Sequence, residues 1–164
     1  FASKEISWQG RSTEDVFAEV VVLNRMHKNL VQELVLRKRE IFSKSVRVEA
    51  LSPMPYVFEF LNTCRASGKS CYIASGSGRQ SITYGLEKLN MKHFFKAIYC
   101  IEDVVSGKPA PDLFKLVLEE NRLSTDKCLV IEDSDAGFVA AERCGLACVD
   151  IVDINLLLGL GDQN

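Results

Sequence analysis

The sequence from residue 128 to residue 137 reads Cys-Leu-Val-Ile-Glu-Asp-Ser-Asp-Ala-Gly, an apolar run that ends in a cluster of carboxylates. The four apolar residues at 128–131 predict a strand covered on both faces, as in a parallel sheet. A helix is predicted to begin near residues 134–136, which completes a strand–loop–helix unit. Open parallel sheets carry their ligand sites at the carboxyl ends of the strands. The stretch therefore predicts an α/β fold with a site at this strand end.

The carboxylates at this strand end are candidate metal ligands. Glu132, Asp133 and Asp135 are hard oxygen donors of the kind that binds Mg²⁺, which takes one or two protein carboxylates and completes its coordination with water and phosphate. An exposed acidic turn is the alternative, because Asp and Ser are common in turns and at helix N-caps. The choice between a Mg²⁺ site and an exposed acidic turn therefore depends on residues elsewhere in the chain.

The chain divides at Ser52-Pro53-Met54-Pro55, since two prolines in three residues disfavour a continuing helix. Residues 1–50 are predicted to be helical and to form a small domain of their own. Residues 51–164 alternate, with predicted helices at 55–67, 78–89, 111–121 and 135–144 and predicted strands at 71–75, 97–101, 127–132 and 147–151. This alternation implies right-handed βαβ crossovers and a three-layer, doubly wound parallel sheet.

The composition excludes several classes of protein. Hydrophobic residues make up 47% of the 164 residues, charged residues 26%, and the net charge is -2, so no basic field attracts nucleic acid or an acidic membrane. No apolar run approaches the ~20 residues that span a bilayer, and Phe1-Ala2-Ser3-Lys4-Glu5 lacks the layout of a signal peptide. We expect a monomer in the cytoplasm or in the interior of an organelle.

The six cysteines lie mostly inside apolar runs, and no Cys-x-x-Cys pair occurs among them. We interpret them as reduced, buried, small hydrophobic residues. Cys144 and Cys148 have a spacing that zinc could use, but neither a second pair nor a nearby histidine accompanies them. His27 and His93 lie beside no nucleophile, which argues against a histidine-dependent catalytic triad.

Two further segments after predicted strands carry groups that suit an anion. Ser75-Gly76-Ser77-Gly78-Arg79 offers a hydroxyl, backbone N–H groups and a cation at a helix start, where unpaired N–H groups and the helix dipole favour negative charge. A simple capping role for Ser75 is the alternative. In Ser106-Gly107-Lys108-Pro109-Ala110-Pro111-Asp112, Lys108 stands between a glycine and a proline, which suits contact with a phosphate oxygen; an ordinary exposed loop lysine is the alternative.

In this order and spacing, the strand-end Ser, the Lys-Pro-x-Pro loop and the strand-end Glu-Asp-Ser resemble motifs two, three and four of the haloacid dehalogenase-like hydrolases. The similarity is greatest to the branch with β-phosphoglucomutase and the small sugar-phosphate phosphatases, and it covers about residues 8–151. Residues 1–50 then resemble the remaining part of the family's helical cap domain, and residues 51–164 its α/β core. The resemblance implies a Mg²⁺-dependent phosphatase or phosphomutase that acts on a small phosphorylated metabolite, such as a sugar phosphate.

The resemblance also implies a role for each candidate residue. Ser75, with the N–H group of Gly76, would bind the transferring phosphoryl group, and Lys108 would neutralise its charge. Asp133, assisted by Glu132, would hold Mg²⁺, and Asp133 is preferred because adjacent residues of a strand point to opposite faces. The candidate substrate contacts in the cap are Gly10, Arg11, Ser12, Thr13 and Lys38.

The sequence departs from the family in one respect. The family places its nucleophilic Asp and its acid/base Asp in an Asp-x-Asp-Gly-Thr motif after the first strand, and no such motif occurs here. We therefore expect that this strand, and with it the Asp that forms the aspartyl-phosphate, is missing from the chain, which should be inactive alone.

Two alternatives remain open at this point. One is a catalytically inactive relative that serves as a binding or regulatory module. The other is a dinucleotide-binding domain, because Gly76-Ser77-Gly78-Arg79-Gln80-Ser81 nearly matches Gly-x-Gly-x-x-Gly and Glu102 or Asp103 could bind the ribose. The sequence leaves the phosphorylated substrate and the choice between phosphatase and mutase open.

Overall fold

The computed structural model describes residues 13–48 and 51–158. Its helices are α1 (Thr13–Leu23), α2 (Leu30–Val48), α3 (Val57–Ala66), α4 (Arg79–Lys88), α5 (Asp112–Asn121), α6 (Asp135–Arg143) and α7 (Ile154–Leu157). Its strands are β1 (Cys71–Ser75), β2 (Phe95–Cys100), β3 (Leu129–Glu132) and β4 (Ala147–Asp150). The predicted α/β fold is confirmed, with helices and strands in the predicted order.

The first part of the chain is a pair of helices. α1 and α2 pack against each other, and Val16, Val21 and Val35 are buried where they meet. The connection turns at Arg25, which adopts a left-handed backbone conformation with φ 52°. The described part of the predicted helical unit is thus helical, while its status as a separate domain stays a prediction. Residues 1–12, 49 and 50 lie outside the described residues, and with them Gly10, Arg11 and Ser12.

The strands form two parallel pairs. β1 pairs with β2, with Ser75 opposite Cys100, and β3 pairs with β4, with Glu132 opposite Asp150. In the described part of the chain no hydrogen bonds join the two pairs, so the parallel sheet consists of two separate two-stranded parts. Residues of both β1 and β3 line a cavity of about 1540 Å³ between the pairs. The strand ends that carry the candidate residues therefore meet at a cavity.

Two apolar clusters hold the elements of the α/β part together. Where α5 and α6 pack near the β3–β4 pair, the buried residues are Phe114, Ala140, Ala141 and Leu146. Where α3 packs near the end of α4 and the start of β2, they are Leu61, Met91 and Phe94. Full burial of one Leu or Phe side chain stabilises a fold by ~1.5–3 kcal/mol. The two clusters thus fix the helices that carry the strand-end loops.

All six cysteines lie in the described part of the chain and are free thiols. Cys100 is fully buried, whereas the other five are half-buried, so burial is less complete than the sequence pattern suggested. Burial, together with hydrogen bonds to Glu102 and Asp103, raises the pKa of the Cys100 thiol to about 12. None of the described helices is long and apolar enough to cross a membrane.

Candidate functional site

Residues from three loops border the cavity between the strand pairs. Ser75 ends β1 and Gly76 follows it, Lys108 lies in the loop between β2 and α5, and Glu132 ends β3 and is followed by Asp133. Within the β1–β2 pair, parallel pairing explains why Ser75 and the loop that carries Lys108 lie on the same side, because it brings the carboxyl ends of paired strands together. The sequence predicted these five residues as one site, and the structure brings them to one cavity.

The loop at residues 75–78, which we call the anion loop, connects β1 to α4. The backbone N–H of Ser77 donates to Ser75 Oγ at 3.1 Å, so Ser75 does stabilise the turn. A hydroxyl that accepts a hydrogen bond keeps its own proton for donation, so this contact leaves Ser75 able to donate to a phosphate oxygen. Ser75 does not cap α4, because the N-cap of α4 is Gly78 and has no side-chain cap hydrogen bond, so the simple capping interpretation of Ser75 is wrong.

The start of α4 differs from the sequence-based expectation of unpaired N–H groups. The backbone N–H of Arg79 donates to both carboxylate oxygens of Glu102, at 3.2 and 3.1 Å. A Cβ atom at Gly78 would lie 2.8 Å from Glu102 Oε1, so glycine gives the carboxylate room at this helix start. The Arg79 guanidinium binds Asp103. The free N–H group and the cation expected here are thus engaged by acidic residues that follow β2.

Lys108 is a buried cation, with 6% of its surface exposed. Its ammonium forms an ion pair with Glu132, which is 7% exposed, and lies 5.0 Å from the centre of the Phe114 ring. The interpretation as an ordinary exposed loop lysine is therefore wrong. A charge removed from water requires a partner, and Glu132 supplies it.

The carboxylate of Glu132 is surrounded by donors. Besides Lys108, it accepts hydrogen bonds from the backbone N–H of Asp133 at 2.8 Å and from Ser134 Oγ at 3.2 Å. Burial opposes ionisation of Glu132, but the Lys108 charge and these hydrogen bonds outweigh it and lower its pKa. Glu132 is thus an anion whose oxygens are occupied by protein donors.

Asp133 is the more accessible carboxylate of the pair, since it is exposed while Glu132 is buried. Partial desolvation and the neighbouring Glu132 raise the pKa of Asp133. The described residues contain no group of three or more His, Cys, Asp or Glu side chains that could hold a metal, at Cys144 and Cys148 or elsewhere. Mg²⁺ needs only one or two protein carboxylates beside water and phosphate, and Asp133 fits that requirement as a single ligand.

The start of α6 supports the acidic strand end. Ser134 is the N-cap, and its Oγ accepts from the backbone N–H of Gly137 at 3.1 Å. Arg143, in the last turn of α6, donates to the backbone oxygen of Pro109 at 2.9 Å, which ties α6 to the loop of Lys108. Asp135 is exposed in the first turn of α6. The capping role of Ser134 follows from its place before a helix, whereas the Arg143 contact has no local sequence signal.

Two of the five candidate cap residues lie in the described part of the chain. Lys38 Nζ donates to Thr13 Oγ1 at 2.6 Å, and both residues line the same cavity as Ser75 and Lys108. The start of α1 and the middle of α2 thus border the cavity that the predicted phosphate-binding residues also line.

The comparison with protein families decides the classification. A model of the haloacid dehalogenase-like hydrolases matches residues 3–151. The chain belongs to this family. Membership confirms the resemblance inferred from the three strand-end motifs. It also displaces the dinucleotide-binding alternative, whose candidate ribose acids, Glu102 and Asp103, bind Arg79 instead.

Two phosphatases are similar to this chain in sequence, and a solved structure shares its fold. YhcW of Bacillus subtilis is 33% identical over 118 residues, which cover 72% of this chain and 53% of YhcW. The fructose-1-phosphate phosphatase YqaB of Escherichia coli is 27% identical over 154 residues, which cover 93% of this chain and 77% of that protein. The crystal structure of β-phosphoglucomutase from Clostridium difficile has the same fold, with a TM-score of 0.78 and 16% identity over 87% of this chain and 65% of that one. The chain thus spans about half the length of YhcW.

Proposed function

We propose that this chain carries the phosphate- and cation-binding part of a Mg²⁺-dependent phosphatase or phosphomutase for a small phosphorylated metabolite. The observation that carries the proposal is the convergence of Ser75, Lys108 and Asp133 on one cavity. A hydroxyl with adjacent N–H groups, a buried ammonium and an accessible carboxylate together suit a phosphate that arrives with a divalent cation.

Each residue has a separate task in the proposed site. Ser75 and the N–H of Gly76 donate hydrogen bonds to phosphate oxygens, and Lys108 offsets the negative charge that phosphate adds. Glu132 holds Lys108 in place through their ion pair. Asp133 would hold Mg²⁺, which when bound neutralises phosphate charge and orients the group for transfer. Positioning and electrostatic stabilisation supply most of the catalysis in phosphoryl transfer, so these residues form a coherent set.

The nucleophile is proposed to be an Asp that this chain does not contain. The family's aspartyl-phosphate forms on an Asp-x-Asp-Gly-Thr motif, and the 164 residues hold no such sequence. We therefore expect the isolated chain to bind phosphate without turning over a phosphate ester. The same sequence observation favours the second candidate function, a catalytically inactive binding or regulatory module.

A sugar phosphate is the proposed substrate class. Relatives named as a fructose-1-phosphate phosphatase and as a phosphorylated carbohydrates phosphatase support it. Thr13 and Lys38 are the described cap residues that line the cavity, and we propose that they contact the sugar or its second polar group.

Calorimetric titration of the chain with inorganic phosphate in the presence of Mg²⁺ tests the site. Ser75→Ala is expected to weaken phosphate binding at least roughly tenfold, as loss of a hydrogen bond to a charged group does. Ser124→Ala, an exposed serine outside the cavity, is the matched control and should bind as the parent chain does. Equal affinity of the parent and Ser75→Ala chains would contradict the proposed site.

A phosphatase assay tests the missing nucleophile. The chain with Mg²⁺ and a sugar phosphate should give no turnover above the buffer. Robust turnover that disappears in Asp133→Asn would show that another residue serves as nucleophile.

A further inference from the structure

The segment after β2 contains two adjacent acidic residues, Glu102 and Asp103, to which the proposed chemistry gives no role. Because Ser75 lies opposite Cys100 in the β1–β2 pair, this segment stands beside the anion loop. Both acidic side chains contact Arg79, the first residue of α4: Glu102 through the backbone N–H and Asp103 through the guanidinium. The anion loop is therefore anchored from the neighbouring strand.

Asp103 contacts both Arg79 and Cys100. Its carboxylate receives both hydrogen bonds of the Arg79 Nη2 group, at 2.7 and 2.5 Å, and the backbone N–H of Cys100, at 2.8 Å. The Cys100 thiol lies 3.1 Å from the same carboxylate. Arg79 Nη1 in turn donates to the backbone oxygen of Ile98 at 3.1 Å. These contacts fasten the first residue of α4 to the last residues of β2.

We propose that Asp103, acting through Arg79, is a positioning residue that holds the anion loop in its phosphate-binding conformation. This inference rests on the proposed function of that loop. Residue 78 is a glycine and has no side chain with which to cap α4, so the helix start depends on acceptors from another segment. Neither Asp103 nor Arg79 contacts the phosphate in this role.

The sign of the effect on phosphate binding separates this role from an electrostatic one. If Asp103 acted only through its negative charge, Asp103→Ala would tighten phosphate binding, because a repelling charge is lost and Arg79 becomes free to meet the anion. If Asp103 holds the loop, phosphate binding weakens. We expect a loss of roughly threefold to fivefold, since the Arg79 and Asp103 side chains are 49% and 27% exposed and exposed pairs contribute modestly.

The experiment is a double-mutant cycle with two readouts. Calorimetric titration with inorganic phosphate and Mg²⁺ is compared for the parent chain, Asp103→Ala, Arg79→Ala and the double variant. Because Asp103 acts through Arg79, the double variant should lose no more affinity than either single variant. Arg37→Ala breaks an exposed ion pair with Glu40 on α2 and is the matched control, with phosphate affinity expected to be unchanged.

Hydrogen exchange of the backbone amides of Ser77 and Arg79 is the second readout. Both amides have identified acceptors, and both should exchange faster in Asp103→Ala while the amides of α6 do not change. Tighter or unchanged phosphate binding, or unchanged exchange at both amides, would overturn the proposal. If the parent chain binds no phosphate, the proposed function fails for this chain, and the exchange rates alone decide whether Asp103 holds the loop. Asp103→Asn, which keeps one acceptor oxygen, replaces Asp103→Ala if that variant does not fold.

Discussion

At the scale of single residues, the ion pair between Lys108 and Glu132 is the central feature of the site. Both side chains are almost completely buried, and a buried pair is costly to break because removal of one partner leaves the other charge without compensation. The sequence placed both residues at strand ends but gave no distance between them. Their contact depends on how the loop before α5 folds over β3, which no local pattern determines.

We expect Lys108→Met to lower the free energy of unfolding by about 3–5 kcal/mol, because Glu132 then stays buried without its cation. The double variant Lys108→Met/Glu132→Gln should recover part of this loss, since no buried charge remains. Urea unfolding at neutral pH measures both. Arg37→Ala, which breaks a pair that is 66% exposed on the Arg side, should change the free energy of unfolding by less than ~1 kcal/mol. If Lys108→Met lowered the free energy of unfolding as little as Arg37→Ala does, the ion pair between Lys108 and Glu132 would not be stabilising.

Two helical glycines provide a matched steric test. A Cβ atom at Gly137 would lie 2.0 Å from Glu132 Oε1 and Cδ, whereas a Cβ atom at Gly85 in α4 would meet nothing within 4 Å. Gly137→Ala must displace Glu132 and should destabilise the fold by at least ~2 kcal/mol, in the range of overpacked core sites. Gly85→Ala should stabilise by about 0.5–1 kcal/mol, because alanine is the better helix former. Thermal unfolding measures the stability of both variants. Equal changes in stability for Gly137→Ala and Gly85→Ala would contradict the position of Glu132 above Gly137.

At the scale of elements, the sequence predicted the type and order of the helices and strands because both depend on local periodicity. Element ends were less accurate: β2 was predicted at 97–101 and is Phe95–Cys100. Phe95 joins the strand because it pairs with Cys71 of β1, which is a contact between distant parts of the chain. The anchoring of α4 by Glu102 was missed for the same reason. It follows from the register of β1 against β2, and alternation of apolar residues does not fix the register between two strands.

The N-cap of α6 gives a test at this scale. Ser134 accepts from the backbone N–H of Gly137 and also donates to Glu132, so Ser134→Ala should cost about 1–2 kcal/mol of unfolding free energy. Ser124 precedes the short helix at Thr125–Lys127 and makes no side-chain capping bond among the described contacts. Ser124→Ala should therefore change stability by less than ~0.5 kcal/mol. A similar loss in both variants, measured by urea unfolding, would show that the Ser134 cap contributes little.

At the scale of the whole molecule, the family and the α/β fold were recognisable from three short motifs, because each motif combines a strand end with a chemical group. The helix and strand pattern alone does not predict the separation into two strand pairs, whereas the family resemblance, with its missing first strand, is consistent with a gap in the sheet. Element type is encoded locally, but which strands become neighbours depends on contacts across the whole chain. The predicted role of Asp133 as a metal ligand and the substrate contacts in the cap stay predictions.

Ligand binding should stabilise the whole molecule. Phosphate and Mg²⁺ would contact Ser75 at the end of β1 and Asp133 after β3, and so link the two strand pairs. At a phosphate concentration ten times its dissociation constant, the added stability is about 1.4 kcal/mol, which raises the Tm of a chain of this size by roughly 3–5 °C. Chloride at equal ionic strength is the control and should give no such increase. If phosphate raised the Tm of Ser75→Ala as much as that of the parent chain, phosphate would be stabilising the fold by binding at another site.

The division into two strand pairs also bears on the order in which the chain folds. β1 and β2 are joined by one continuous segment that contains α4, and β3 and β4 by one that contains α6. Each pair therefore closes a short loop of sequence, for which the entropic cost of closure is low. Hydrogen exchange under mildly denaturing conditions should reveal two cooperative units with different opening free energies, one for each pair. The cavity residues would then be assembled last, when the two units come together.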